Sequence, residues 1–300
     1  MPMWAAQRAP LPGGRWHLQH GPIDIVIAAE GDADAVAAAH AAAWVRFQPL
    51  LGDLVAELPR LRQPVDAAGN PLRGLVARRM WAACAPLRAA AGGFLTPMAA
   101  VAGAVAQELI AAYQRPGITR AWVNNGGDIA LHLAPGQSAR VGLMADLSRF
   151  DAEALARTVA GNLRTDAGFT VAHASPVRGV ATSGWRGRSQ SLGIADSVTV
   201  LAATAADADA AATVVANAVN LDDARIQRAP ASSLRDDSDL GERLVTVAVP
   251  LLPPAVVQRA LDAGLQVARH LQAGGCIHAA LLVCQGSLAR LAPLGALELV

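Results

Sequence analysis

Apolar and polar positions alternate along the chain in two ways, and each predicts its own elements. Residues 15–29, RWHLQHGPIDIVIAA, read as two short strands joined at His20-Gly21-Pro22. From Asp32 to Leu58 the apolar spacing changes to helical, giving a long Ala-rich helix stopped at Pro59. A polar Pro/Gly stretch over 61–75 reads as loop, and helical spacing returns over 76–91, ending at Gly92-Gly93. Thr96-Pro97 carries the signature of a helix start, Thr as N-cap and Pro in the first turn, before the run PMAAVAGAVAQELIAAYQR. Residues 120–144 predict two or three strands, and 167–182 and 196–204 predict more. A helix over 206–220 follows, then an acidic, Ser-rich loop at 232–242, a strand over 243–249, a helix over 254–272 and strands from 276 onward. Hairpins mixed with helices predict an α+β fold with a largely antiparallel sheet.

At 300 residues the chain is long enough for a sizeable core. With no repeat and no long linker, one domain over 1–300 is expected, preceded by an irregular arm at 1–14. Although 53% of residues are hydrophobic, charges break the apolar runs, so no membrane span is expected. The first residues, MPMWAAQRAPLPGG, show neither an apolar signal core nor a lipidation cysteine, which points to the cytoplasm. Cys84, Cys276 and Cys284 lack zinc spacing, and an odd number of thiols suits a reducing compartment. Cys276 and Cys284 are expected as small apolar residues of a buried strand rather than as partners. A net charge of +1 gives no electrostatic ground for nucleic acid or anionic membrane as partner. Ala-rich helices and an apolar tail suggest a homodimer around a small-molecule site.

All 25 basic residues are arginine. Lysine chemistry is therefore excluded: no phosphate-loop lysine, no Schiff base, no lysine general base. Any bound anion must be met by arginine, backbone N–H groups or a metal.

Three segments could carry chemistry. The first is WVNNGGDIALHL, where Asn124, Asn125, Gly126, Gly127 and Asp128 interrupt an apolar run. Such residues make a tight hairpin turn, and they also clear the backbone for a ligand. The second, ATSGWRGRSQSLG over 181–193, could hold an anion through backbone N–H groups, Arg186 and Arg188, with Trp185 offering a ring face. It reads equally as a surface loop with solvated arginines. The third is TAADADAAATVVANAVN. Thr204 and Asp207 form a capping-box pattern, and beyond it Asp209, Thr213 and Asn217 fall four apart on one helix face. A carboxylate on an otherwise apolar helix needs a partner or a cation, and Asp and Thr oxygens suit Mg²⁺. His17, His20 and His132 read as surface or satisfied core histidines. Gln107 and Glu108 fit either a helix surface or a ligand anchor.

In this order, the runs GFLTPMAAVAGAVAQELI, ITRAWVNNGGDIAL, GVATSGWRGRSQSLGIADSVTVLA and ADAAAT resemble the ApbE-like superfamily, most closely its uncharacterised UPF0280-type cytoplasmic branch. The match is strongest over 90–220. The resemblance implies an α+β fold related to T-fold enzymes and a FAD:protein FMN transferase activity that uses Mg²⁺. It implies Asp209, Thr213 and the backbone carbonyl at Ala102 as metal ligands, with Asp128 joining Asp209 and Thr213 as catalytic residues. Asn124, Asn125, Gly126, Gly127, Thr182, Ser183, Gly184, Arg186 and Arg188 then line the FAD or FMN site. Two features depart from the transferases: Ala102-Gly103 stands where they carry Lys-Gly, and their His-Ile-x-x-Pro-x-x-Gly segment is shortened here to 188–193. Two alternatives therefore stand beside flavin transfer. One is a flavin-independent hydrolase or isomerase of a small N-heterocyclic metabolite; the other is a non-catalytic ligand-binding protein.

Overall fold

The computed structural model describes residues 5–143, 167–187 and 189–292. Thirteen strands fall in chain order as β1 (Gln7–Leu11), β2 (Arg15–His20), β3 (Ile23–Gly31), β4 (Ile118–Asn125), β5 (Asp128–Leu133), β6 (Ser138–Leu143), β7 (Ala167–Ala172), β8 (Gly179–Ser183), β9 (Ser197–Ala202), β10 (Gln227–Pro230), β11 (Leu244–Ala248), β12 (Ala279–Cys284) and β13 (Ser287–Leu291). The helices are α1 (Ala33–Ala56), α2 (Leu58–Leu61), α3 (Leu75–Cys84), α4 (Val101–Ile110), α5 (Ala205–Ala218), α6 (Ala231–Leu234) and α7 (Pro254–Ala273). Nine strands form one sheet in the order β1-β2-β3-β4-β5-β8-β9-β12-β13. Every neighbouring pair in it is antiparallel. The expected α+β architecture is present.

The sheet has a covered face on each side, as its two-residue period requires. Val123, Ala130, Ala181, Val198 and Leu282 face the helices and join the main core with Phe47, Leu109 and Leu261. Leu131, Val180 and Leu201 face the other way and pack under the antiparallel β6–β7 pair, against Val141, Phe169 and Val171.

Two expectations change. Residues 7–11, assigned to the irregular arm, pair in register with 15–19 as edge strand β1. The run from Pro97 is not one helix. A 3₁₀ turn over Pro97–Ala100 ends where Ala100 adopts φ −124°, and α4 restarts at Val101. Thr96 does not cap it; its hydroxyl donates to the carboxylate of Asp239. The break matters because it exposes a fresh helix N-terminus, with its unpaired N–H groups, inside the core.

Helix α5 is buried on nearly all sides, and small residues make that possible. A Cβ on Gly103 of α4 would lie 2.2 Å from the Ala205 carbonyl oxygen, and one on Gly179 of β8 would lie 2.1 Å from the backbone of Thr204. The first turn of α5 is thus pinched between two glycines. Half of the predicted capping box is present: Thr204 Oγ1 accepts from Asp207 N at 3.2 Å, and Asp207 Oδ2 accepts from the Thr204 hydroxyl at 2.7 Å. Gln107 Oε1 accepts from Ala206 N at 3.3 Å. Caps of this kind contribute about 1 kcal/mol each.

Candidate functional site

The opening turn of the site is a two-residue hairpin. Asn125 pairs with Asp128, and Gly126 and Gly127 between them have φ of 66° and 115°, values that glycine adopts without strain. Asn124 Oδ1 accepts from Gly127 N at 2.8 Å and fixes the turn. The flanking side chains point inward and are buried. Asn125 Nδ2 donates to the Ala102 carbonyl at 3.1 Å, and Asp128 Oδ1 accepts from Thr182 N at 3.2 Å. The glycines make the turn, and Asn125 and Asp128 face the helices.

Opposite them stands Asp209. The residue is partly accessible, yet its carboxyl group is enclosed. Its Oδ2 accepts from Gly103 N at 2.9 Å, and the Ala102 amide also bonds to it. Both amides belong to the first turn of α4, so Asp209 caps that helix from a neighbouring one. Burial, then the nearby charge of Asp128, raise the Asp209 carboxyl well above the usual carboxylate range, while the Gly103 and Ala102 amides pull it back only in part. The Asp128 carboxylate of β5 thus lies close to that of Asp209 in the N-terminal half of α5.

Such a pair is suited to a hard cation. The oxygen donors here are the Asp209 and Asp128 carboxylates and the Ala102 carbonyl, which lies within α4 and accepts from Asn125, and Thr213 follows one turn along α5. All are oxygens, the set Mg²⁺ prefers. Among the described residues no three His, Cys, Asp or Glu side chains cluster closely enough to hold an ion alone. Mg²⁺ commonly binds through one or two carboxylates, with the rest of its shell from water and ligand phosphate, so the residues present fit it.

The loop after β8 runs past this pair. Thr182 contributes its backbone N–H, while its side chain lies on the opposite sheet face, 2.9 Å from the Thr199 hydroxyl. Gly184 passes so close to the Asp196 carbonyl that a Cβ would lie 2.3 Å from it. Trp185 N donates to Ala195 O at 3.0 Å, and the Arg186 guanidinium stacks on the Trp185 ring while its Nε lies 3.2 Å from Asp196 Oδ1. Ser183 closes the end of β8. Arg188 lies outside the described residues.

Several residues turn out to be structural. Glu108 is bound by Arg46 Nε at 2.7 Å and Arg79 Nη1 at 2.8 Å, clamping α4 to α1 and α3. His17 pairs with Asp24, His20 packs against Phe47, and His132 lies 3.4 Å from the Ile118 carbonyl. The three cysteines are free thiols: Cys284 is buried in β12 as expected, whereas Cys276 precedes that strand. Sequence reasoning missed Asp196 as the partner of Arg186, and the Asp239–Thr96 contact. It named Asn217 only as part of a stripe. The i, i+4 spacing was the available signal for Asn217, and no local signal existed for the other two.

A long antiparallel sheet, a buried Ala-rich helix and an Asn-Gly-Gly-Asp turn aimed at it define an ApbE-like protein. The family model described as AbpE bacteria matches residues 8–291, and the chain belongs to that family. A UPF0280 protein of Methanothermobacter thermautotrophicus is 42% identical over 41% of this chain, and the match spans 43% of that relative. One from Methanoregula boonei is 33% identical over 60% of this chain and 72% of the relative. Among solved structures, the flavin transferase ApbE from Vibrio cholerae is 12% identical, with a TM-score of 0.47 over 96% of each chain.

Proposed function

We propose that the protein is a Mg²⁺-dependent enzyme handling a flavin or nucleotide diphosphate, with FMN transfer from FAD as its reaction. The observation that supports this most is the enclosed Asp209 carboxyl, raised by burial and by Asp128, on the same helix face as Thr213. In this reading Asp209, Thr213 and the Ala102 carbonyl hold the ion, whose chemistry is Lewis-acid charge stabilisation on the pyrophosphate, worth several kcal/mol. The Asn124–Gly127 turn and Thr182–Gly184 approach the ligand through backbone, and Arg186 and Arg188 offset phosphate charge. An acceptor hydroxyl oxygen forms the new bond to the FMN phosphorus. The bond to the bridging oxygen breaks, AMP leaves with the electron pair, and the hydroxyl proton passes to Asp128. A cytoplasmic homodimer completes the reading. The free thiols support the compartment, the exposed Leu244, Leu251 and Leu288 support a second copy, and light scattering in solution checks it. Among the described residues no helix is long and apolar enough to cross a membrane.

The test is calorimetry with FAD in MgCl₂ and in EDTA, followed by an assay for AMP release in the presence of a Ser/Thr peptide. Mg²⁺-dependent FAD binding with AMP release is expected; a protein that binds neither FAD nor Mg²⁺ refutes the reading. A second reading draws support from the shortened 188–193 segment and the absence of lysine. It keeps the same residues for a small N-heterocyclic metabolite, hydrolysed or isomerised without flavin, and turnover in a metabolite screen lacking flavin would favour it. If Asp209→Ala and Thr213→Ala leave the biological activity intact, the protein is instead a non-catalytic binder.

A further inference from the structure

The polar face of α5 divides its work between two ends. Asp209 holds the amides of α4. Two turns later, Asn217 Oδ1 accepts from Ser191 Oγ at 3.1 Å and from Leu192 N at 2.9 Å. The contact is reinforced around it. Asn220 Nδ2 donates to Leu192 O at 2.8 Å, Ile194 N donates to Val219 O at 2.8 Å, and a Cβ on Gly193 would lie 2.0 Å from the Ala216 carbonyl oxygen. Thr213 stands between the two ends, one turn from each.

The loop after β8 is therefore fixed at both ends of this face. Its start is tied at Thr182 to Asp128, beside Asp209, and its finish at Ser191 and Leu192 to Asn217. Asn217 lies eight positions beyond Asp209, about 12 Å of axial rise. The stretch from 182 to 192 could extend to about 30 Å or more. The loop thus has far more chain than the gap requires, and it meets its end anchors without tension. Within it, Arg186 is held to Asp196.

We propose that Asn217 is a positioning residue: its side-chain oxygen fixes the loop carrying Ser183 to Arg186 along the Asp209/Thr213 face, and so sets the ligand affinity of that site. The inference rests on the proposed function in taking this loop as ligand-facing. What matters at 217 is an acceptor oxygen of Asn size. Asn217→Asp keeps one, and Asn217→Leu keeps the shape without it. Ser191→Ala removes the bond its hydroxyl donates to Asn217 and the one it accepts from Gly193 N, and it changes no residue of α5, which guards against a variant that fails to fold.

The experiment measures FAD binding in MgCl₂, melting temperature and hydrogen exchange of residues 184–193 for all three variants. Asn217→Leu should weaken FAD about 10-fold, as loss of one to two net hydrogen bonds predicts, and Ser191→Ala by a smaller factor. Asn217→Asp should restore affinity to within about twofold. Exchange over 184–193 should quicken in Asn217→Leu and not in Asn217→Asp. Wild-type exchange in Asn217→Leu, or equal loss of affinity in the Asp and Leu variants, overturns the inference. Should the wild type bind no FAD at all, the flavin reading fails, and the exchange arm still decides whether Asn217 holds the loop.

Discussion

Two carboxylates on neighbouring helices meet opposite surroundings. Glu108 of α4 is partly buried between Arg46 and Arg79, and although burial pushes its carboxyl up, the two guanidiniums outweigh that and hold it below the usual range. Asp209 of α5 is enclosed too, but among the described residues its neighbours are amides and a second carboxylate, and its carboxyl is held well above that range. Evidently the fold can neutralise an inward-facing acid when it supplies arginines. Among the described residues no arginine is a neighbour of Asp209, whose carboxyl is neutralised by a proton or by a bound cation. Glu108 belongs to the architecture; in the proposed function Asp209 carries the chemistry.

Breaking the Glu108 side of the comparison should have the largest effect. Glu108→Ala leaves two partly buried guanidiniums without their shared partner and should cost about 2–3 kcal/mol in urea unfolding, below the fully buried range because both arginines are part-exposed. Glu108→Gln should cost less. The Glu108 contribution is present above the ordinary carboxylate pKa and is lost as pH falls through the lowered value, so the Ala variant should differ least from wild type in acid.

Next comes Gly103, which brings the two helices together. Gly103→Ala places a Cβ against the Ala205 carbonyl and the Asp209 Cβ, so the helices must part, at about 1–3 kcal/mol. Unfolding in urea measures it. Because Gly103 N is also the amide that Asp209 caps, Mg²⁺-dependent stabilisation should fall as well.

The smallest effect has the opposite sign. Asp209→Asn removes a carboxylate whose ionisation the fold opposes, while an oxygen remains to accept from Gly103 N. Without metal, the melting temperature at neutral pH should rise by about 2–4 °C, the shift for roughly 1 kcal/mol in a chain of this size. The sign follows from the raised carboxyl. Wild-type stability from this group is full below the ordinary aspartate pKa and is lost as pH climbs toward the raised one. The gain should therefore vanish in acid, and a variant less stable than wild type at neutral pH would break the contrast with Glu108.

Much of this was legible in the sequence. Period-two runs located the hairpins, and Ala-rich helical spacing located α1, α5 and α7, because both signals are local. The i, i+4 stripe singled out Asp209 before its surroundings were known. What stayed hidden depends on contacts between distant residues. Glu108 looked ambiguous because Arg46 and Arg79 lie 62 and 29 residues away. Thr96 looked like an N-cap because Asp239, its actual partner, is 143 residues on. β1 looked irregular because its residues are exposed and carry no alternation. The Asn-Gly-Gly-Asp turn was ambiguous for a different reason: the residues that make a tight hairpin also clear space beside it, and only the inward reach of Asn125 and Asp128 joins the two readings.

The most direct test of the central claim is calorimetric titration of Mg²⁺, with FAD present, in two buffers of different ionisation enthalpy at neutral pH. If the Asp209/Asp128 pair is completed by a cation, wild type binds Mg²⁺ and releases protons, its affinity rises with pH, and Asp209→Asn loses both the binding and the release. Equal Mg²⁺ binding by wild type and Asp209→Asn, or binding without proton release, would contradict the account.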